Sequence, residues 1–184
     1  MPAAAPSLFG DPAAIRCERA VAELRSGRPV VITGDAQQRM AVIALDSATR
    51  RSFDAFAGLA AGRHYLFLTE TRARVLGMEA PQGVRLPLQG IDFDALPSLG
   101  YLREPGPMPA EASAGDALDA GAVELARLGL LLPAMVGLPL DPADSRFEAA
   151  AQVALCDLAE GAAHAAHDYE LVARSPVPLR DIGM

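Results

Sequence analysis

Apolar residues recur along this chain in short runs set between segments of helical spacing, which predicts strands interleaved with helices. Asp11-Pro12 reads as an N-cap followed by proline in the first turn, opening a helix with Ile15, Val21 and Leu24 near one face. Gly27 is placed to end it. Pro29–Thr33 is a short apolar run suited to a buried strand, and Thr33-Gly34-Asp35 turns the chain into a second, Met40–Leu45. Asp46-Ser47 is expected to cap a helix carrying Phe53, Phe56 and Leu59. Tyr65–Leu68 then reads as a strand, and Thr69 as the cap of a short helix stopping at Gly77.

Between Met78 and Ala117 the pattern thins. Pro81, Gly83, Pro87, Gly90, Pro97, Gly100, Pro105, Gly106 and Pro107 leave room for little beyond a strand at Val84–Leu88. Asp119 is expected to open a helix with Val123, Ala126 and Leu130 on one side, and Ala134–Leu138 to form the final strand. An Ala-rich helix from about Ala143 to Arg174 and a turn-like tail, Ser175–Met184, complete the reading. Apolar strand runs flanked by helices imply an α/β fold, a layered sheet with helices against it. There is no internal repeat and no inter-domain linker, so residues 1–184 read as one domain.

Composition narrows the functions available. The net charge is −7 and no lysine occurs, so there is no basic stripe for a phosphate backbone, and nucleic acid is not an expected partner. The longest apolar run, Leu128–Leu140, is interrupted by Gly129, Pro133, Gly137 and Pro139 and is too short to span a membrane. The start, MPAAAPSLFGDP, lacks the basic and apolar regions of a signal peptide. A soluble protein of the cytoplasm is the expectation. Cys17 and Cys156 form no disulfide framework and read as buried thiols.

Candidate chemistry is sparse. Glu160, His164 and His167 can share one helical face, but a solvated polar stripe outweighs a metal site there. Asp54, Asp92, Asp94, Asp116 and Asp119 lie in or near loops with no motif spacing, and Asp116 and Asp119 read as helix caps. No phosphate-binding glycine loop occurs, Ser47, Ser52, Ser98 and Ser113 lack a nucleophile-elbow context, and His64 reads as packed or solvated. No catalytic, cofactor-binding or metal-binding residue is assigned.

Three segments, in order, resemble the 3,4-dihydroxy-2-butanone 4-phosphate synthase family of riboflavin biosynthesis. Ala20–Ile32 (AVAELRSGRPVVI), continued by Ala41–Thr49 and Leu66–Met78, is similar to the family's first strands and helices. Ala122–Val136 (AVELARLGLLLPAMV) is similar to the helix and strand beside one of its catalytic histidines. His167–Arg174 with SPVPLRDIGM resembles the terminal helix and exit segment that leads, in fused proteins, into a GTP cyclohydrolase II domain. Residues 175–184 would be that tail.

The departures fall where the resemblance would place chemistry. The family's acidic loop after the first strand corresponds to Gly34-Asp-Ala-Gln-Gln-Arg-Met40, shorter and without Glu. Its Gly-His-Thr-Glu-Ala falls on Ala117-Leu-Asp-Ala-Gly121, so the metal-binding histidine position is Leu118, and the catalytic Glu after the next strand falls on Pro139. Ring-opened sugar phosphates need a hard divalent cation to polarise their oxygens, and leucine and proline supply neither ligand nor base. The resemblance therefore implies a degenerate copy: a scaffold, a homodimerisation element or a partner domain of GTP cyclohydrolase II. The alternative is a remodelled enzyme or ligand-binding site using Asp35, Arg39 and Asp119.

Overall fold

The computed structural model describes residues 10–102 and 111–167, the last five as helix backbone alone. Helix α1, Pro12–Arg25, opens where the sequence places it, with the Asp11 carboxylate accepting from the Ala13 N–H at 2.8 Å. Beyond it Gly27 holds φ +68°, and a Cβ there would stand 2.7 Å from the Ser47 carbonyl oxygen. Only glycine meets both demands.

Strands β1 (Val30–Thr33) and β2 (Arg39–Ala44) form an antiparallel hairpin in which Thr33 faces Arg39. Helix α2 (Arg50–Ala60) leads to β3 (Tyr65–Leu68), short α3 (Glu70–Val75) and β4 (Val84–Pro87). After α4 (Leu96–Gly100) and the two-residue β5 (Ser113–Ala114), helix α5 (Ala117–Leu128) enters β6 (Ala134–Leu140). The order across the seven-stranded sheet is β5-β4-β3-β6-β2-β1-β7, with β7 at Ala151–Ala154 followed by helix α6, Leu155–His167. Every strand pair is antiparallel except β1 with β7.

Each face of this sheet carries its own core. Val31, Ile43, Leu66, Leu86 and Val136 pack with Phe53 and Phe56 of α2 and with Leu96 and Leu99 of α4. On the other face Ile32, Val42, Phe67 and Met135 pack with Leu24 of α1, Leu125 of α5 and Leu158 of α6. The α/β class is therefore right, and covering both faces explains why the strands read as unbroken apolar runs. No helix among the described residues is long and apolar enough to cross a membrane.

Several expectations are corrected. The helix expected from Ala143 is instead a turn region followed by β7, and helix begins only at Leu155. Alanine's helical preference yields to pairing: Ala151–Ala154 satisfy the otherwise open edge of β1, register Val30 to Ala151. The part of that helix beyond His167, and the tail 175–184, lie outside the described residues. Strand β6 is not the last but the central one, and it runs on to Leu140. Pro139 is tolerated because β3 stops opposite Gly137, leaving that side of β6 unpaired. Helix α2 is capped by Thr49 in a reciprocal box with Ser52, not by Asp46-Ser47. Asp116 caps α5 and Asp119 closes its capping box. Leu59 is 41% and Leu130 80% exposed, so neither joins the core. Helix α4 was hidden by Pro97 and Gly100; the first sits in the opening turn, where its missing N–H is not needed, and the second lies against Leu45. Cys17 is buried and Cys156 exposed, both unpaired thiols.

His64 is buried with Nδ1 lacking a hydrogen-bond partner, its ring 5.8 Å from that of Phe53. Arg50, Asp54 and Asp92 share its pocket. Burial holds the imidazole pKa below its ordinary value, so the folded chain resists protonation that the unfolded chain accepts. Stability from this group is complete above the unfolded pKa of roughly 6.5 and falls as pH drops below it. The His64→Leu chain should accordingly lose less thermal stability than the original between neutral and mildly acidic pH, read as unfolding midpoints across that window.

Candidate functional site

The positions that the family resemblance singles out converge. Leu118 and Pro139 line one cavity of about 190 Å³, together with Gln38, Arg39, Met40, Tyr65, Arg85, Asp116 and Leu140. Strands β2, β3, β4 and β6 and helix α5 build it. Strand alternation sends Val84 and Leu86 into the core on the α2 side, so Arg85 between them projects to the α5 side. Tyr65 opens β3 opposite Gly137 of β6, where a Cβ would stand 2.8 Å from the ring, so glycine makes room for the phenol. The capped first turn of α5 contributes Asp116, Leu118 and Asp119.

These polar groups are satisfied by one another. Asp119, 1% exposed, accepts from the Tyr65 hydroxyl at 2.8 Å, from Arg85 Nε at 2.6 Å and from the Asp116 N–H at 2.9 Å, and Arg85 Nη2 forms an ion pair with it at 2.6 Å. Asp116 accepts from the Leu118 and Asp119 N–H groups at 2.9 and 3.2 Å, and its other oxygen lies 2.5 Å from Arg85 Nη2. The Arg85 guanidinium sits 4.7 Å over the Tyr65 ring. Met40 Sδ also lies 2.8 Å from the Tyr65 hydroxyl, but the single phenolic proton belongs to the stronger acceptor, the carboxylate.

The electrostatics follow from burial and pairing. Burial pushes the Asp119 carboxyl above its ordinary pKa, opposed by its hydrogen bonds to Asp116 and Tyr65 and by the Arg85 charge. Burial pushes Asp116 the same way, but the Arg85 hydrogen bond and the turn's N–H groups outweigh it and hold that carboxyl low. Burial and the adjacent Asp119 charge drive the Tyr65 phenol far above its usual range, so it acts only as a donor. Arg85 is raised despite burial by Tyr65 and the two carboxylates, which fixes its positive charge.

The remaining sequence candidates fall elsewhere. Asp35 is exposed on a one-turn 3-10 segment, Asp35–Gln37, that closes the β1–β2 hairpin where the acidic loop was sought. Arg39 lines the cavity yet donates to the carbonyls of Pro142 and Asp144, both at 3.2 Å. Among the described residues no hydrogen bond or ion pair joins Asp35, Arg39 and Asp119 to one another. Asp92 and Asp94 pair with Arg50. Ser47 donates to the Leu24 carbonyl, Ser98 to that of Ala95, Ser52 serves the α2 cap, and Ser113 lies on the outer strand β5. Glu160 is exposed on α6, and the His164 and His167 side chains lie outside the described residues. No group of three or more metal-ligating side chains occurs among the described residues. Leu118, 6% exposed, packs in the α5-side core and sits where a Cβ on Gly34 would meet it at 3.1 Å. A larger cavity of about 520 Å³, along 78–84 and 112–114, has Glu79 as the one ionisable residue among the described residues of its lining.

Tyr65 and Arg85 are the site residues that sequence reading missed. Arg85 did leave a signal, a lone cation inside the apolar strand Val84–Pro87.

Among known proteins, no family model matches the chain. It is 51% identical over 181 residues to a protein named GTP cyclohydrolase-2 from Xylella fastidiosa (strain Temecula1), a match covering 97% of this chain and 45% of that protein. The protein of the same name from strain 9a5c matches at the same identity and coverage. The chain thus spans under half the length of these curated relatives. Among solved structures, a two-domain 3,4-dihydroxy-2-butanone 4-phosphate synthase from A. baumannii aligns with TM-score 0.57 at 17% identity, over 78% of this chain and 56% of that one. The synthase of Candida albicans aligns with TM-score 0.54 at 18% identity, over 78% and 95%. A further synthase structure, in complex with two magnesium ions, aligns with TM-score 0.53 at 16% identity, over 81% and 95%. The chain has the fold of the 3,4-dihydroxy-2-butanone 4-phosphate synthases, in a sequence related to under half the length of proteins named GTP cyclohydrolase-2.

Proposed function

We propose that this chain is a catalytically silent synthase-like domain of a cytoplasmic GTP cyclohydrolase II protein of riboflavin biosynthesis. It serves as a scaffold and homodimerisation element for the cyclohydrolase part. One observation carries the reading. In the cavity where the family's chemistry would sit, Leu118 and Pro139 stand at the ligand and base positions, and Tyr65, Arg85, Asp116 and Asp119 are bound to one another.

Physical chemistry supports it. Removing one transition-state donor already costs a factor of about 100 to 1,000 in rate, and here the ligand, the base and the acidic loop are all replaced. Leu118 is also built into the core, so the position is filled rather than vacant. A shape kept without its chemistry is suited to assembly, and closed twofold pairs are the commonest way such domains associate.

Three outcomes are expected. The chain should release no formate from ribulose 5-phosphate with magnesium above a protein-free control; chelator-sensitive release would contradict the reading. Leu118→Ala should lower stability by about 2 to 5 kcal/mol in urea unfolding, whereas a loss well under about 1 kcal/mol would show that the position is not filled by core packing. Sedimentation equilibrium should give twice the chain mass at tens of micromolar. A monomer that stays monomeric when a cyclohydrolase II domain is added would refute the assembly role.

A further inference from the structure

Deepening the reading of a silent site, we propose that Arg85 is the cavity's resident cation. Its guanidinium balances the Asp116 and Asp119 carboxylates as a bound divalent ion would otherwise have to, and so excludes such an ion.

The geometry resembles ion binding closely. Arg85 Nη2 lies 2.5 Å from one oxygen of Asp116 and 2.6 Å from one oxygen of Asp119, bridging the two side chains through a single atom. A bridging magnesium ion would sit closer, at about 2.0 to 2.1 Å, so the nitrogen holds the place between the two carboxylates from slightly farther out, as a short charge-assisted contact. The need for a cation is physical. A carboxylate as buried as Asp119 is untenable without a counter-charge, and the capping box of α5 fixes Asp116 within the same turn.

With Arg85 in place the residues do not fit a divalent ion. Both oxygens of Asp119 and both of Asp116 already receive a donor. A magnesium ion requires six oxygens in near-octahedral array, and the adjoining Leu118 and Pro139 offer no side-chain ligand. Arg85 also cannot leave cheaply. It projects from β4 between two buried neighbours, its side chain 21% exposed and its charge plane stacked on Tyr65. Unlike a metal, it is covalently part of the sheet, always charged and not removed by chelators.

Titration of the 184-residue chain with manganese chloride, by calorimetry and by thermal unfolding with and without chelator, tests this. The original chain should show no saturable binding and no manganese-dependent shift in midpoint. Arg85→Met should unfold at lower temperature, gain manganese affinity by roughly tenfold or more, and recover stability with the ion in a chelator-reversible way. Adding Asp119→Asn to Arg85→Met should abolish that response, and Arg85→Lys, which retains the charge, should show none. If Arg85→Met folds only with manganese present, the demand for a cation is displayed directly. If neither Arg85→Met nor the milder Arg85→Gln gains any manganese response, Arg85 is an ordinary ion-pair partner and the proposal fails, with the silent-domain reading intact. Saturable binding by the original chain, lost in Asp119→Asn, would overturn both.

Discussion

A carboxylate withdrawn from water has to be neutralised by its neighbours, and for Asp119 those neighbours come from three parts of the sheet assembly. Arg85 arrives from β4, Tyr65 from β3 and the Asp116 N–H from the turn that starts α5. Strand and helix must therefore be in register before the carboxylate is satisfied, and a slip of one residue in β4 would send Arg85 into the opposite core. Breaking such a pair by removing one partner is far costlier than never having had it, since a bare charge is left behind. The network ties the start of α5 to two strands at the point where Gly137 lets the Tyr65 ring approach.

The same constraint decides what the cavity can do. An active site keeps some groups under-satisfied in the resting state so that a substrate or ion can complete them. Here the carboxylates, the phenol and the guanidinium complete one another, and the flanking positions hold leucine and proline. The core packing of Leu118 acts in the same sense, because an apolar side chain fills the space beside the carboxylates. On the proposed reading, the synthase fold persists while the space that would hold its chemistry is filled by ordinary protein interactions.

Much of the architecture was legible in the chain. The first helix, β1 to β3, the Thr69 cap and the β6 strand follow from periodicity and capping residues that act locally. What was not legible depends on partners distant in sequence. Ala151–Ala154 is a strand only because β1 offers an edge to pair with, and composition alone reads it as helix. Helix α4 was obscured because Pro97 and Gly100 are tolerated for reasons of position and packing. Within the site, Leu118, Pro139 and the two aspartates were visible through family resemblance and capping logic. Arg85 and Tyr65 were not, since nothing local tells that a lone arginine on one strand meets an aspartate thirty-four positions on.

The central claim is that this cavity is closed to metal and sugar phosphate by its own side chains. Amide NMR spectra of the chain recorded with increasing manganese, then with ribulose 5-phosphate added, address it most directly. The account predicts that signals from 34–40, 116–122 and 138–140 keep their positions and line widths throughout. Saturable paramagnetic broadening centred on Leu118 and Asp119, with further shifts on adding the sugar phosphate, would contradict it.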